Sequence, residues 1–498
     1  MLMMRNMKFT VKDTLTEEEI QAGLKTVIKD GLTTQTMVSL TGGVFLVAFA
    51  LKLGASNLII GLLAAIPALA QLIQIPSIYL VEKYRVRRAI SVYASASSRL
   101  FWLLIAFIPF LFSIKAGLTF LIAAILLNAI FTAVSTCSWN SWMRDLVPKE
   151  RLGSFFSKRM SLATGLGIPL SLGAGIYLDY WKKLWPNYEL YGYSVLFFLG
   201  FLAGMLGVYY ISNIPEPRMT PIEKKTKFTT LISQPFNDAN FKQLIIFLGS
   251  WNFAVNLAAP FFTVYMLKRL QLDMWLIIAL AVLSQVISLT FFRIWGTLSD
   301  RFSNKSVLGV SGPLFIGCIL AWTFTTMPEK YFLTIPLLVA IHIILGISTS
   351  GVTLASGNIG LKLAPKGQAT AYLAVNSFIN SLAAGIAPII GGIFADFFVG
   401  RELSWTLTWT SPERELTFPA LNFQQWDFFF FIAFIIGLYS VHRLAMIKEI
   451  GEVKEKIVIR ELISEVGRAT RNLSTAGGLR HLINFPFLIV RRFKRKKE

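Results

Sequence analysis

Gly296-Thr297-Leu298-Ser299-Asp300-Arg301-Phe302-Ser303-Asn304-Lys305 is a short polar turn between two apolar runs, 275–295 before it and 307–324 after it. Each run is long enough to cross about 30 Å of hydrocarbon as a helix. The turn holds a carboxylate and two cations, Asp300, Arg301 and Lys305, where the chain leaves one run and enters the next. The rest of the chain extends this pattern. Its 498 residues are 54% hydrophobic and 15% charged, with a mean hydropathy of +0.60. A soluble chain carries about a quarter charged residues. Hydrocarbon offers no water to backbone N–H and C=O groups, so the apolar runs must be helices. The expected fold class is an all-α polytopic membrane protein.

Hydropathy places spans at 33–52, 57–81, 89–112, 117–144, 153–179, 193–212, 241–267, 274–297, 306–326, 332–361, 368–398 and 425–446. Twelve spans put both termini on one side. Most of the 48 lysines and arginines fall on that side. The other side holds Lys52, Lys115, Lys182, Lys183, Lys268, Arg269, Lys330, Arg401 and Arg414, while Arg99 and Arg293 fall within spans. The positive-inside rule therefore predicts cytoplasmic termini in the cytoplasmic (inner) membrane. The net charge of +21 is a topology signal, and no nucleic acid is needed to explain it. The first 30 residues mix charges and show no basic-then-apolar leader with a small-residue cleavage site, so no removable signal peptide is expected. Cys137 and Cys318 lie far apart inside apolar runs and read as small buried hydrophobes.

The chain divides into an N-terminal segment 1–32, a six-span bundle 33–213, a linker 214–240 with Lys224, Lys225 and Lys227, a second bundle 241–446 and a basic tail 447–498. A shift of 217 residues lays Pro148-Lys149 on Pro365-Lys366, Gly175 on Gly392 and Asp179 on Asp396. It also lays the Gly- and Pro-rich fifth span on the eleventh. At a shift of 218, Glu82-Lys83 falls on Asp300-Arg301. The two bundles read as an internal duplication.

These loops resemble the motif of the major facilitator superfamily, Gly-x-Leu-Ala-Asp-Arg-x-Gly-Arg-Lys. Gly296, Leu298, Asp300, Arg301 and Lys305 match it, whereas Ser303 and Asn304 depart from it. The stretch 139–153, Trp139-Asn140-Ser141-Trp142-Met143-Arg144-Asp145-Leu146-Val147-Pro148-Lys149-Glu150-Arg151-Leu152-Gly153, resembles a segment found at this place in bacterial members with few assigned substrates. The resemblance covers about 33–446. It implies two pseudo-symmetric six-helix bundles and secondary transport by alternating access. It also implies that Asp300 pairs with nearby cations and with the positive end of span eleven, latching the cytoplasmic side. Glu82, Lys83, Arg144 and Asp145 are candidates for the same work, and Gly296 would let span eight approach a neighbour. The competing reading is that these charges only mark the membrane boundary.

By the same resemblance, spans 1, 4, 7 and 10 line a central path. Span four offers Asn128, Thr132, Ser135 and Trp139 on one face, span seven Trp251, Asn252 and Asn256, and span ten His342, Ser348, Thr349, Ser350, Thr353 and Asn358. Gln71, Gln74, Gln285, Asn376 and Asn380 add amides. Buried amides need partners or water, which favours a wet path of uncharged character. Polar side chains also bond helices to one another, and either reading suits a single residue. No Asp or Glu lies in the middle of these spans, so His342, with an ordinary pKa near 6.5, is the candidate for proton coupling. A structural histidine is the alternative. Arg99 lies ten residues into span three, about 15 Å deep at 1.5 Å per residue, and needs a partner. Gln71 or Gln74 would serve, or an anionic solute.

The tail mixes charge with spaced apolars over 448–472. It ends in an apolar hexamer, Phe485-Pro486-Phe487-Leu488-Ile489-Val490, beside Arg491, Arg492, Lys494, Arg495, Lys496 and Lys497. Such a segment suits an anionic lipid leaflet or a solvated tail. Three histidines and two cysteines give no metal-ligand spacing, and no phosphate-binding Gly-x-x-x-x-Gly-Lys-Ser/Thr loop is present. No cofactor and no catalysis are expected, and the chain reads as a monomer. The predicted function is transport of a small, neutral organic solute, with proton coupling as the family default. A membrane receptor or regulator signalling through the tail is the rival reading. A polytopic transferase is a third, which the lack of clustered Asp, His or Glu disfavours.

Overall fold

The computed structural model describes residues 11–148, 152–219, 234–326, 329–365, 369–412 and 414–473. Twelve helices are long and apolar enough to span a membrane: Glu17–Lys52, Asn57–Tyr84, Arg87–Ala106, Ile114–Leu146, Phe155–Leu184, Pro186–Ser212, Ala239–Lys268, Met274–Arg301, Asn304–Phe324, Thr334–Leu363, Tyr372–Phe397 and Trp426–Ala445. They are numbered spans 1 to 12 below. Lys149, Glu150 and Arg151, the linker lysines 224, 225 and 227, Lys366, and the apolar hexamer and cations of 485–497 lie outside the described residues.

The first helix begins sixteen residues earlier than hydropathy suggests. Thr16 and Glu19 cap each other's backbone N–H groups at its start, so the helix runs Glu17–Thr41. It breaks at Gly42-Gly43, where Gly43 adopts φ +56°, and resumes as Val44–Lys52. Asp30, assigned to the terminal segment from hydropathy, is therefore part of span 1, and it is buried. At 1.5 Å per residue the whole span exceeds the hydrocarbon thickness, so its first turns project from the membrane.

The packing repeats across the halves. Span 1 packs on spans 5 and 6, and span 3 on spans 4 and 6. Likewise span 7 packs on spans 11 and 12, and span 9 on spans 10 and 12. The halves meet chiefly along span 2 with span 11 and span 5 with span 8. Prolines interrupt several spans (Pro67, Pro169, Pro260, Pro313 and Pro388), and span 2 tightens to a 3-10 turn at Gln71–Ile73 just after Pro67.

Two features extend beyond the helical bundles. Glu402–Ser411 and Arg414–Gln424 form an antiparallel hairpin between spans 11 and 12, on the face opposite the termini. A helix at Glu455–Leu473 follows span 12 and packs beneath spans 8 and 9.

Candidate functional site: a seam sealed at one end

Asp179, near the end of span 5, accepts hydrogen bonds from the backbone N–H groups of Met274 (3.1 Å) and Trp275 (2.7 Å), which open span 8. Asp396, near the end of span 11, accepts from Asn57 N–H (3.1 Å), Asn57 Nδ2 (2.8 Å) and Leu58 N–H (2.9 Å), which open span 2. A helix N-terminus leaves such donors unsatisfied and carries partial positive charge, so a carboxylate there bonds and neutralises at once. The backbone donors and the carboxylate acceptors of the two contacts correspond under the 217-residue shift, and the Asn57 side-chain bond is an addition that Met274 cannot make. Each joins one half of the molecule to the other.

Glycine makes the approach possible. A Cβ on Gly175 would meet Ile278 Cδ1 at 2.6 Å, and one on Gly392 would meet the Asn57 carbonyl oxygen at 2.6 Å and Leu58 Cα at 2.7 Å. Gly61 in span 2 is pressed directly against the Pro388 carbonyl of span 11. Above this seam lies a cavity of about 460 Å³ whose walls include Lys52, Asp179, Lys182, Glu189, Lys268 and Asp273.

The terminal face is organised differently. Glu449 accepts from Asn304 N–H (3.3 Å), Asn304 Nδ2 (2.9 Å) and Lys305 N–H (2.7 Å) at the start of span 9. Glu216 accepts from Arg87 N–H (2.6 Å) and Arg88 N–H (3.1 Å) at the start of span 3. Burial pushes the Glu216 carboxyl above the usual carboxylate range, against the pull of those N–H groups and of the Arg87 and Arg88 guanidiniums. Asp145 pairs with Arg87, which also donates to the Pro217 carbonyl (2.7 Å). Arg301 pairs with Glu461 (2.9 Å) and Lys305 with Glu452 (2.7 Å). The Lys305 ammonium holds the Glu452 carboxyl below its ordinary value. Every one of these bonds stays within one half.

The loop carboxylates expected to latch this face stand open. Glu82 and Asp300 are exposed, and among the described residues neither side chain has a bonded partner. Lys83 lies over the Tyr84 ring at 5.5 Å, and Arg144 is exposed. Gly296 makes no close approach, since a Cβ there would find its nearest neighbour, Leu354 Cδ1, at an ordinary 3.7 Å. Between spans 2 and 11, on the terminal side of the seam, a groove of about 750 Å³ opens. Gln71, Gln74, Ser377, Phe378 and Ser381 are among its walls.

The interior residues separate into packed and accessible sets. His342 is buried, its Nδ1 lies 2.8 Å from the Leu338 carbonyl, and its ring meets Trp322 edge-on at 5.7 Å. Trp251 is buried against Phe247 and Phe315. Asn128 donates to the Ser98 carbonyl (2.8 Å), tying span 4 to span 3. These three side chains are taken up by packing. Asn252 and Asn256 are half-buried and bond only to carbonyls of their own helix. Gln285 is exposed. In span 11, Asn376 and Asn380, one turn apart, bury carbonyl oxygens that have no partner among the described residues. An orphaned buried acceptor calls for water or a ligand donor.

Arg99 has partners other than Gln71 and Gln74, which bond to each other. It donates to the Gly204 carbonyl (2.6 Å) and to Thr34 Oγ1 (3.1 Å), and lies 3.8 Å from Asp30 Oδ1. Arg159 approaches the other Asp30 oxygen at 3.3 Å, donates to the Val27 carbonyl, and stacks 5.1 Å over Trp139. Asp30 is thus the buried carboxylate that sequence reasoning missed. The signal was present in the Thr16-x-x-Glu19 capping pattern, which starts the helix early enough to carry Asp30 inside.

The family model for the Major Facilitator Superfamily matches residues 31–388. Among curated proteins no sequence matches significantly. The fold is similar to the crystal structure of the nucleoside transporter NupG, at 12% identity over 86% of this chain and 98% of that one, with a TM-score of 0.61. It is also similar to a POT family transporter in complex with a thioalcohol-conjugated peptide, at 12% identity over 86% and 97% of the two chains, TM-score 0.60. A bacterial homologue of the iron transporter ferroportin in its inward-facing state gives 12% identity over 86% and 98%, TM-score 0.60.

Proposed function

The chain belongs to the major facilitator superfamily, and from that premise we propose that it is a secondary transporter moving a small, uncharged organic solute by alternating access. The observation that carries this reading is the asymmetry of the seam. The carboxylate bonds that tie one half to the other, those of Asp179 and Asp396, lie at one end, while the charged bonds of the terminal face described above stay within one half. The excess of lysine and arginine on the terminal side supports cytoplasmic termini, which makes the sealed end the outer one and the arrangement inward-facing. Glu82 and Asp300 then form the inner latch that closes in the opposite state, and the tail's Glu461 and Glu452 brace the loop through Arg301 and Lys305.

The solute site is assigned to the amides that packing leaves over: Asn252, Asn256 and Gln285, with the orphaned acceptors of Asn376 and Asn380 awaiting N–H or O–H donors. Such groups discriminate by hydrogen bonding and suit a polar solute without net charge. Proton coupling is assigned to Asp30 in place of His342, because Asp30 is a buried carboxylate set between Arg99 and Arg159, where gaining or losing a proton changes the charge balance of an enclosed cluster. The similar structures range from a nucleoside transporter to a homologue of an iron transporter and select no cargo for this chain.

Counterflow in liposomes tests the proposal. A ligand library is first ranked by thermal shift on the purified protein, and hits are loaded inside vesicles with labelled solute outside. Exchange without a gradient, and accumulation driven by a pH gradient, are expected. Asp30→Asn should keep the exchange and lose the pH-driven accumulation. No exchange of any stabilising ligand, with protein still folded, would remove the transport reading.

A further inference from the structure

The hairpin between spans 11 and 12 separates its side chains by chemistry. On its first strand Leu403, Trp405, Leu407 and Trp409 alternate with Ser404, Thr406, Thr408 and Thr410. Successive strand residues point to opposite faces, so one face is wholly apolar and the other wholly polar. The four apolar residues are 53%, 64%, 56% and 68% exposed. Across the ladder Leu403 pairs with Phe423, Trp405 with Leu421 and Trp409 with Leu416.

A register shift between Trp405 and Thr406 preserves this separation. The partner moves from Leu421 to Pro419, so the second strand carries one extra residue at that point. Without that bulge Trp409 would face Thr417 in place of Leu416, and the faces would mix from there to the tip. A two-stranded ribbon alone in water is marginal, and an apolar face of this extent on a soluble surface invites aggregation. Something covers it.

The covering surface is indicated by the hairpin's root. Phe423, on the apolar face, packs against Phe428 and Phe431 of span 12, at 6.1 and 5.5 Å between ring centroids. From Phe431 an exposed stripe continues down span 12 through Ile435 and Leu438, spaced to face lipid. The ribbon's apolar face is an extension of that stripe. Its two edges carry unpaired backbone groups, which excludes the hydrocarbon core. Its threonine face needs water, and tryptophan favours the boundary between the two. We propose that the Glu402–Gln424 hairpin is an amphipathic ribbon lying in the headgroup zone of the membrane face opposite the termini, with Trp405, Leu407 and Trp409 turned into lipid. Glu402 and Glu415 balance Arg401 and Arg414, so a zwitterionic phospholipid is sufficient.

Single cysteines at Leu407→Cys and Thr408→Cys, placed in the full chain with Cys137→Ala and Cys318→Ala, carry a nitroxide into phosphatidylcholine vesicles. Collision with lipid-soluble oxygen and with a water-soluble nickel chelate is then compared. The label at 407 should favour oxygen and the label at 408 nickel, each by several-fold. Equal nickel access at both sites would show a ribbon standing in water and overturn the proposal. Shielding of 407 from both reagents, relieved on dilution into more lipid, would assign the face to a second copy and overturn it equally. A label-free measurement guards against distortion by the cysteines. Headgroup-proximal brominated lipid should quench less tryptophan emission in W405F/W409F than in the unaltered chain, and an unchanged quenched fraction would also sink the idea.

Discussion

At the scale of single residues, the charges buried in the first half decide more than the polar stripes do. Arg99 is 5% exposed and Asp30 3%, so removing either leaves the other without full compensation. Breaking a buried pair in this way costs about 3–5 kcal/mol. Arg99→Gln should fall near the low end, because Arg159 still approaches Asp30 at 3.3 Å. Asp30→Asn should cost more, since it strands two guanidiniums. The double variant should lose clearly less than the sum, as read from thermal unfolding in detergent; simple additivity would show the pair uncoupled. Arg99 was legible in the sequence as a charge too deep to stay alone. Its partner was not, because a hydropathy window sees the mean of its residues and begins a span only where charge thins out. A helix is instead begun by its cap, and Thr16 with Glu19 sets this one before Asp30. His342 shows the opposite limit: its type suggests titration, but only packing against Trp322 reveals that the ring is enclosed.

At the scale of elements, the duplication is more than a matter of descent, because it places the same contact twice across the seam. Asp179 on span 8 and Asp396 on span 2 are each a helix cap supplied by the other half, and such a cap is worth about 1 kcal/mol. Losing both should move the equilibrium between states closed and open on the face opposite the termini by about 2 kcal/mol, more than tenfold. Spin labels at Lys182 and Lys268, on opposite sides of the cavity at that face, should report longer distances in D179A/D396A than in the unaltered protein. Gly392→Val should act in the same direction, because even its Cβ would sit 2.6 Å from the Asn57 carbonyl oxygen, a backbone atom that cannot rotate away. Unchanged distances in both variants would mean that something else holds the seam. The sequence shift already aligned Asp179 with Asp396 and Gly175 with Gly392. It could not show what they touched, because the partners lie on spans 8 and 2, roughly a hundred and more than three hundred positions away. The hairpin escaped for another reason: its signal has period two, Leu403 to Trp409, and hydropathy averaging erases alternation.

At the scale of the whole molecule, the tail must either read the relation between the halves or ride on one of them. The bonds that hold its first part belong to the second half. Glu449 caps span 9 and lies 3.5 Å from the Lys362 ammonium, Lys448 bonds Asn240, and Glu461 pairs with Arg301. The first half holds span 3 in the same way with Glu216, directly after span 6. The equivalence means that the capping brace ends with the segment containing Glu449 and Glu452, and the helix Glu455–Leu473 adds the buried side chain of Val458 and rim pairs such as Arg301 with Glu461. Exposed pairs of that kind are worth 0–1 kcal/mol. A regulator that signals through its tail would need a contact that changes as the halves rock, whereas the bonds of Lys448, Glu449, Glu452 and Glu461 all stay within the second half. Deleting 455–498 should therefore lower the unfolding temperature, because buried Val458 goes with the helix, yet leave solute exchange in liposomes within about twofold of the intact chain, since the rim pairs lost are weak. Abolished exchange in a truncated protein that still unfolds cooperatively would reverse the assignment, making the tail a working part of the gate.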